Sequence, residues 1–334
     1  MPTPSPLSDQ LVTVFGGGGF IGNYVVQALL ARGARVRIAQ RNPSEAWGLK
    51  PLANLGQLQF AAVDITDENR LEAALHDADY VVNLVSDFSG NLDALMVDAP
   101  GNMARIAADN AAKGFLQMSG MGADPDSDID YARTKGQGEA RVLAAFPGAT
   151  ILRPSIVFGK DDNFLNMFAG MMEHLFVLPV FGGDAEMQIV YVDDVAEAVA
   201  VALEDPAAHG GHTYELGGPE RLTMLEINQR IAEAQGRDRR FWPVSDSSSK
   251  LFARIPFTPM SMDQYKLLKQ GSTVSEGARG FDELGITPRP LGQFLDKWMM
   301  RYRKFGRFGL SNQRNKEREL RGVPAPETGA GAKV

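Results

Sequence analysis

Apolar and polar positions alternate between two rhythms along the first half of the chain. Short β-forming runs at Leu11–Phe15, Arg35–Ala39, Leu58–Val63, Ala78–Leu84, Phe115–Ser119 and Thr150–Pro154 are separated by stretches of helical period. The helical stretches cover Asn23–Arg32, Asp67–His76, Pro100–Lys113 and a segment opening at Tyr131. Gly33 and Gly114 stand where C-caps of two of these helices belong. This alternation predicts a parallel sheet covered by helices on both faces. Further on, Gln188–Val192 runs into an apolar helix that Asp193 or Asp194 would cap, and Thr213–Leu216 reads as another strand. Thr223-x-x-Glu226 is a capping box for a helix reaching Gln235, and Arg237–Val244 is a mixed strand.

One stretch gives the alternation a purpose. Val12 to Gly22 reads V-T-V-F-G-G-G-G-F-I-G, a strand entering a glycine turn that opens a helix. The frame Gly16-x-x-Gly19-x-x-Gly22 is a dinucleotide-binding fingerprint in the context that makes such a frame informative, whereas a bare flexible turn is the competing reading. Glycines allow the sharp turn and the close approach of backbone amides to a diphosphate, and the helix N-terminus adds unpaired N–H groups. Gly16, Gly17, Gly18, Gly19, Phe20, Ile21 and Gly22 are thus the expected cradle. The fold class expected is α/β, a Rossmann-type doubly wound parallel sheet with a smaller C-terminal α/β lobe. The expected division is a flexible N-terminus (1–10), the NAD(P)-binding domain (11–160), a substrate or partner lobe interleaved with it (161–305) that takes in Thr213–Leu216, and a basic, partly disordered tail (306–334).

Ligands of such sheets bind beyond the carboxyl ends of the strands, where Gly16–Gly22, Arg41, Asp64, Ser86 and Ser119 all fall. The second strand ends in Gln40 and Arg41 instead of the acid that an NAD ribose prefers; a guanidinium grips a 2′-phosphate, so NADP(H) is expected over NAD(H), with Glu45 close enough to keep NAD(H) open. Asp64 and Ile65, after the third strand, are expected at the adenine, although Asp64 or Thr66 would equally serve to cap the next helix. Asn83, Leu84 and Val85 lie where the ribose would pass, and Pro154, ending the sixth strand, completes the cofactor set. Tyr131 and Lys135 share a helix face, so the ammonium should lower the phenol's pKa and make it a proton donor or acceptor, with Lys135 also placed to hold the nicotinamide ribose. The third member, a hydroxyl beyond strand five, is in question. Ser119 is the nearest, yet at Met121 a thioether stands where a serine is expected; Ser119 is read as capping the strand end.

Composition narrows the function further. A net charge of −7 argues against nucleic-acid binding, and the absence of cysteine excludes disulfides and thiolate metal sites. Met1–Gln10 lacks the features of a signal peptide, and the longest apolar candidate, Leu175–Phe181, is too short to span a membrane and contains Pro179. His209-Gly-Gly-His212 has metal-like spacing but no partner ligands, and no metal is expected. Met167, Phe168, Met171 and Met172 either line an apolar pocket or pack in the core. Residues 301–322 carry eight Lys or Arg against Glu317 and Glu319, beside an amphipathic stretch, Leu291–Phe305, with Phe294, Leu295, Trp298, Met299 and Tyr302 on its apolar side. That combination suits an anionic membrane surface, and a solvated tail is the alternative.

The glycine loop, Ser119-Gly-Met-Gly-Ala-Asp, Tyr131-Ala-Arg-Thr-Lys135-Gly-Gln-Gly-Glu139 and Phe146–Gly159 together resemble atypical short-chain dehydrogenases. Asp162-Asn-Phe-Leu-Asn-Met-Phe-Ala169 and Pro259-Met-Ser-Met-Asp-Gln-Tyr-Lys-Leu-Leu-Lys269 resemble, more narrowly, the dehydrogenase-like accessory subunit of respiratory complex I and its bacterial homologues. The resemblance implies tightly held NADP(H) with low or no turnover and a place among complex I subunits, at the cytoplasmic face of the membrane. A working NAD(P)-dependent oxidoreductase or epimerase, acting on a sugar nucleotide, a sterol-like alcohol or a quinone-pathway intermediate, is the other reading.

Overall fold

The computed structural model describes residues 4–244, 262–304 and 306; most of the basic tail and the first residues of the Pro259–Lys269 motif lie outside the described residues. Six strands of the first half are β1 (Leu11–Phe15), β2 (Arg35–Gln40), β3 (Leu58–Ala62), β4 (Tyr80–Asn83), β5 (Gly114–Met118) and β6 (Thr150–Pro154). Later strands are β7 (Val157–Phe158), β8 (Val177–Val180), β9 (Glu186–Met187), β10 (Val190–Tyr191), β11 (Thr213–Leu216), β12 (Leu222–Thr223) and β13 (Arg240–Pro243). The main sheet has seven parallel strands in the order β11-β6-β5-β4-β1-β2-β3. β1 is central, and all five of its residues are buried, as a strand covered on both faces requires. Its register sets Val12 against Val36 and Tyr80, and Val14 against Ile38 and Val82. The strand order reverses between β1 and β4, so a crevice opens at their carboxyl ends.

Thr213–Leu216, expected in the smaller lobe, is the outermost strand of this sheet: β11 runs parallel to β6, with Tyr214 opposite Leu152. On one face lie α1 (Phe20–Ala31) and α6 (Val192–Glu204), which share a core with Val14, Leu29, Val195 and Val199. On the other, α2 (Glu68–Leu75), α3 (Ala99–Asp109) and α4 (Asp130–Ala145) cover Phe15, Val81 and Phe115. A third cluster builds the smaller lobe from α5 (Phe164–His174), α7's successor α8 (Met224–Ala234) and the C-terminal helix Gly292–Met299, α7 itself being the short turn Pro206–His209. The segment before β1, expected to be flexible, is pinned at Leu7, which is fully buried, and by the Ser5 hydroxyl donating to Glu204 at 2.6 Å.

Several boundaries move for local reasons. α1 starts at Phe20, three residues ahead of the expected start, with Gly22 inside its first turn. A Cβ on Gly22 would collide with the Gly16 carbonyl and sit 2.7 Å from Gly17 backbone, so only glycine lets the helix begin against the loop. α3 ends at Asp109, and Gly114 is the first residue of β5 instead of a helix stop; Ala111, at φ 55°, makes the exit. One turn of π-helix, Ala94–Asp98, precedes α3 where a Cβ on Gly138 of α4 would collide with the Met96 carbonyl. The cap of α2 is Asp67, accepting from the Arg70 amide, and neither Asp64 nor Thr66. Neither Asp193 nor Asp194 caps α6; buried Asp194 accepts from Arg289 Nε at 2.7 Å and from its amide at 2.8 Å. The capping box of Thr223 and Glu226 forms as expected.

The apolar side of the C-terminal helix faces inward. Phe294 stacks on Trp298 (5.1 Å, 12°) and on Tyr191 (4.0 Å, 27°), and Leu295 and Met299 are buried. The helix ends at Met299 and passes into a 3-10 turn, Met300–Tyr302. Arg301 bonds to the Lys160 carbonyl and Asn166, and Arg303 to the Ala234 carbonyl. The expected pairing of an aromatic face with a membrane is therefore corrected for this helix, because its aromatic side chains complete the lobe's core. Phe168 and Met172 of α5 also belong to that core, while Met167 is 38% exposed. Among the described residues no helix is long and apolar enough to cross a membrane.

Candidate functional site

The crevice at the β1/β4 switch is walled by two backbones. Leu84 and Val85, leaving β4, lie so close to the glycine turn that a Cβ on Gly16 would meet Val85 at 3.5 Å and the Leu84 carbonyl carbon at 3.6 Å. Gly16 has φ +78°, a conformation that other residues adopt at a cost. The turn closes through the Gly19 amide donating to the Gly16 carbonyl at 3.1 Å. Gly19 is the N-cap of α1, which has no side-chain cap and no acid in its first turn. Its leading N–H groups, at Phe20 and Ile21, therefore present uncompensated positive ends. Asn83 does not face the crevice: it is fully buried, donates to Gln117 Oε1 at 3.0 Å and accepts from the Val85 amide at 3.1 Å, which fixes the turn that places Leu84 and Val85.

Gln40 has a role the sequence did not reveal. Its Oε1 accepts from the Gly18 amide at 2.7 Å and its Nε2 donates to the Asn42 carbonyl at 2.6 Å. A Cβ on Gly18 would strike that side chain at 2.5 Å, so glycine and glutamine are matched. The end of β2 thus steadies the loop, and Arg41 projects beyond it, its charge acting on Asp64. Arg41, Val63, Asp64, Asp67 and Arg70 line one shallow basin of about 380 Å³ at the ends of β2 and β3. Asp64 accepts from the Thr66 amide at 3.0 Å and hydroxyl at 2.8 Å, and these bonds hold its carboxyl below the usual range. Ile65 turns its side chain into the core.

At the other end of the crevice Tyr131 and Lys135 stand one turn apart on α4, the Lys135 ammonium 5.8 Å from the phenol ring. The expected effect on the phenol is reversed: burial raises the Tyr131 pKa, and a 3.1 Å hydrogen bond with the Ser86 hydroxyl offsets this only partly. The lysine is perturbed as well. It is 3% exposed, and burial pulls its pKa down to about 8 against an upward pull from Glu139. Its ammonium donates to the Met118 carbonyl at 3.2 Å. Glu139 itself is held by Arg153 in a two-pronged pair at 2.9 and 2.6 Å.

Ser119 does not cap the strand end through its side chain: its amide donates to the Leu152 carbonyl at 2.7 Å, while its buried Oγ has no hydrogen-bond partner among the described residues. Met121 turns its sulfur to the Ser272 hydroxyl, 3.4 Å away, and its amide donates to the Pro154 carbonyl at 3.1 Å. The position that looks at the phenol is the one between them. A Cβ on Gly120 would lie 3.9 Å from the Tyr131 hydroxyl, with no nearer neighbour. Neither Gly120 nor Met121, where the serine is expected, offers the phenol a hydroxyl, and the one that does reach Tyr131, that of Ser86, comes from the end of β4. Phe88, on the same loop, stacks on the phenol at 4.1 Å and 12°. Ser86 is expected at a strand's carboxyl end but not beside the phenol, and Phe88 carries no sequence signal that distinguishes it from any loop residue.

Away from the crevice, His209 Nδ1 pairs with the Tyr214 hydroxyl at 2.9 Å, and the described residues contain no cluster suited to a metal ion. The glycine cradle, the uncapped α1 terminus, the orphaned Ser119 hydroxyl and the sparsely bonded Lys135 together fit a nicotinamide dinucleotide.

The model of the NAD dependent epimerase/dehydratase family matches residues 12–217. The mitochondrial NADH dehydrogenase (ubiquinone) 1 alpha subcomplex subunit 9 of Arabidopsis thaliana is 31% identical over 322 residues, covering 90% of this chain and 80% of that protein. Its Mus musculus counterpart is 31% identical over 298 residues, with 86% and 79% covered. Among solved structures, Citrobacter sp. triphenylmethane reductase complexed with NADP(H) superposes with a TM-score of 0.70 at 19% identity, over 86% of this chain and 99% of that one. The NADPH-dependent quinone oxidoreductase of Escherichia coli, complexed with NADPH, gives 0.69 at 19% identity over the same shares. These two share the fold. With the family match spanning more than half of the sequence and the plant relative nearly all of it, the chain belongs to the NAD-dependent epimerase/dehydratase family.

Proposed function

We propose that this protein is an NADP(H)-binding accessory or assembly subunit associated with respiratory complex I, holding its coenzyme with low or no turnover. The observation that carries low turnover is the pair of side chains beyond β5: Gly120 offers the phenol no hydroxyl, and Met121 is turned to Ser272. Absence of one such donor lowers rates about 10²–10³-fold in acyl-transfer enzymes, a guide to the scale here. The association follows the complex I names of the relatives at about 30% identity. Gly17 to Ile21 would hold the diphosphate, Arg41 the 2′-phosphate, Asp64 the adenine amino group, Leu84 and Val85 the ribose passage, and Tyr131 and Lys135 the nicotinamide ribose. When bound, the coenzyme supplies or accepts a hydride; the chain's own part is to hold it, exclude water and position the phenol proton. On this reading the protein sits at the cytoplasmic face of the membrane, in contact with complex I subunits, and the basic segment past Arg301 meets anionic lipid. Held coenzyme adds stability by mass action.

The second reading, an active oxidoreductase or epimerase, is favoured by one observation: Ser86, Tyr131 and Lys135 remain grouped. Affinity capture of the full chain from membranes, with bound nucleotide identified by mass spectrometry, separates the two. Complex I subunits together with NADPH or NADP⁺ are expected. Recovery of the chain without them, together with substrate-dependent oxidation of NADPH at 340 nm, would replace the first reading with the second.

A further inference from the structure

The basin at the ends of β2 and β3 contains a second cation that the glycine-loop fingerprint does not predict. Arg41 follows β2, whereas Arg70 stands in the first turn of α2, and both line the same cavity of about 380 Å³. Two carboxylates line it as well, and alone they would repel a phosphate. Each is already engaged. Asp64 Oδ1 accepts from the Thr66 amide and hydroxyl at 3.0 and 2.8 Å. Asp67 Oδ1 caps α2 through the Arg70 amide at 3.3 Å, and its Oδ2 accepts from Arg70 Nε at 3.2 Å. Asp67 therefore tethers the arginine side chain at the cavity wall. Gln40, the residue at the end of β2, is neutral and bonded to Gly18 and Asn42, so it contributes no carboxylate.

We propose that Arg70 is the second arm of a two-arginine clamp, with Arg41, for a phosphomonoester on the adenosine ribose, and that the Asp67 tether holds Arg70 in readiness for it. The proposal rests on the NADP(H) reading above and adds to it the residue that discriminates. Two guanidiniums from different elements surround a dianion better than one, because each forms its own charge-assisted bonds. Both arginines are exposed, so their replacement leaves the core intact.

Calorimetric titration of the full chain, stripped of endogenous nucleotide, with 2′,5′-ADP and with 5′-AMP tests this without turnover. Wild type should bind 2′,5′-ADP more tightly. Arg70→Ala should lose about tenfold in affinity for 2′,5′-ADP while 5′-AMP binding is unchanged, the scale of one charge-assisted contact. Arg41→Ala should do likewise, and the double variant should show no preference. Asp67→Asn keeps a capping residue but frees Arg70 from its tether, so the preference for 2′,5′-ADP over 5′-AMP should narrow. If wild type prefers 2′,5′-ADP and Arg70→Ala keeps that preference, the clamp is wrong and the NADP(H) reading stands. If Arg70→Ala weakens both ligands equally, Arg70 is structural and the clamp is again wrong. If wild type shows no preference, both fall.

Discussion

Replacing Lys135 by methionine should make the ligand-stripped protein more stable at neutral pH, although it removes a residue of the candidate site. The lysine is 3% exposed and its pKa falls from 10.5 to about 8 because burial penalises the ammonium. A group whose folded pKa lies below its unfolded value contributes stability that is full above about pH 10.5 and is lost as pH falls towards 8. Below pH 8 both states carry the proton, and the folded state bears the whole penalty. At about 1.4 kcal/mol per pH unit the upper figure is about 3 kcal/mol. Loss of the bond to the Met118 carbonyl returns about 1 kcal/mol, which leaves a gain of about 2 kcal/mol at pH 7. Methionine conserves most of the volume, and Glu139 keeps its partner in Arg153. Urea denaturation at pH 7 and pH 9.5, followed by far-UV circular dichroism, reads the effect. The midpoint of Lys135→Met should exceed that of wild type at pH 7, and the two should converge at pH 9.5, where the wild-type lysine has released its proton in the folded state only. A variant less stable at pH 7 by 1 kcal/mol or more, or a gap independent of pH, would refute the reasoning. The same argument gives the site a use for bound ligand, because hydroxyls placed beside the ammonium replace part of the water it lost.

Three further outcomes are expected. Gly22→Ala forces a Cβ into the Gly16 carbonyl and Gly17 backbone, so the loop must shift; the purified variant should release no nucleotide on denaturation and lose about 2 kcal/mol in urea unfolding. Gly120→Ser meets nothing nearer than the phenol, so the melting temperature should hold while the Tyr131 titration, read at 295 nm against Tyr131→Phe, moves down; an unfolded variant would show that the space is not there. Trp298→Ala removes a ring stacked on Phe294 and packed near Phe158, and should cost about 2–3 kcal/mol with no change in liposome binding, which tests whether this helix is core or membrane surface.

The sheet and the glycine turn were legible because each rests on local chemistry: β-branched runs, glycine spacing and helix period lie in consecutive residues. So did the capping box at Thr223, whose two partners are three residues apart. What could not be read was set by contacts distant in sequence. Asp194 looks like a cap until Arg289, 95 residues away, is brought to it. Tyr131 looks activated by Lys135 until burial is counted, and burial is a property of the whole fold. Trp298 and Phe294 look like a membrane-facing stripe until Tyr191 is seen beneath them. In the site, Met121 drew attention because its residue type was unexpected, whereas Gly120 did not, since an absent side chain has no direction until the backbone is known.

The bond from the Gly18 amide to Gln40 has a practical consequence for anyone wishing to alter which coenzyme is taken. An acid at the end of the second strand favours an unphosphorylated ribose, which makes that residue the obvious one to exchange. Here that same side chain braces the turn, so an exchange would shift discrimination and overall retention together, and the two effects could not be tuned apart. Adjustment that leaves the turn alone starts one residue later, at Arg41, which lines the basin without bracing the glycine loop.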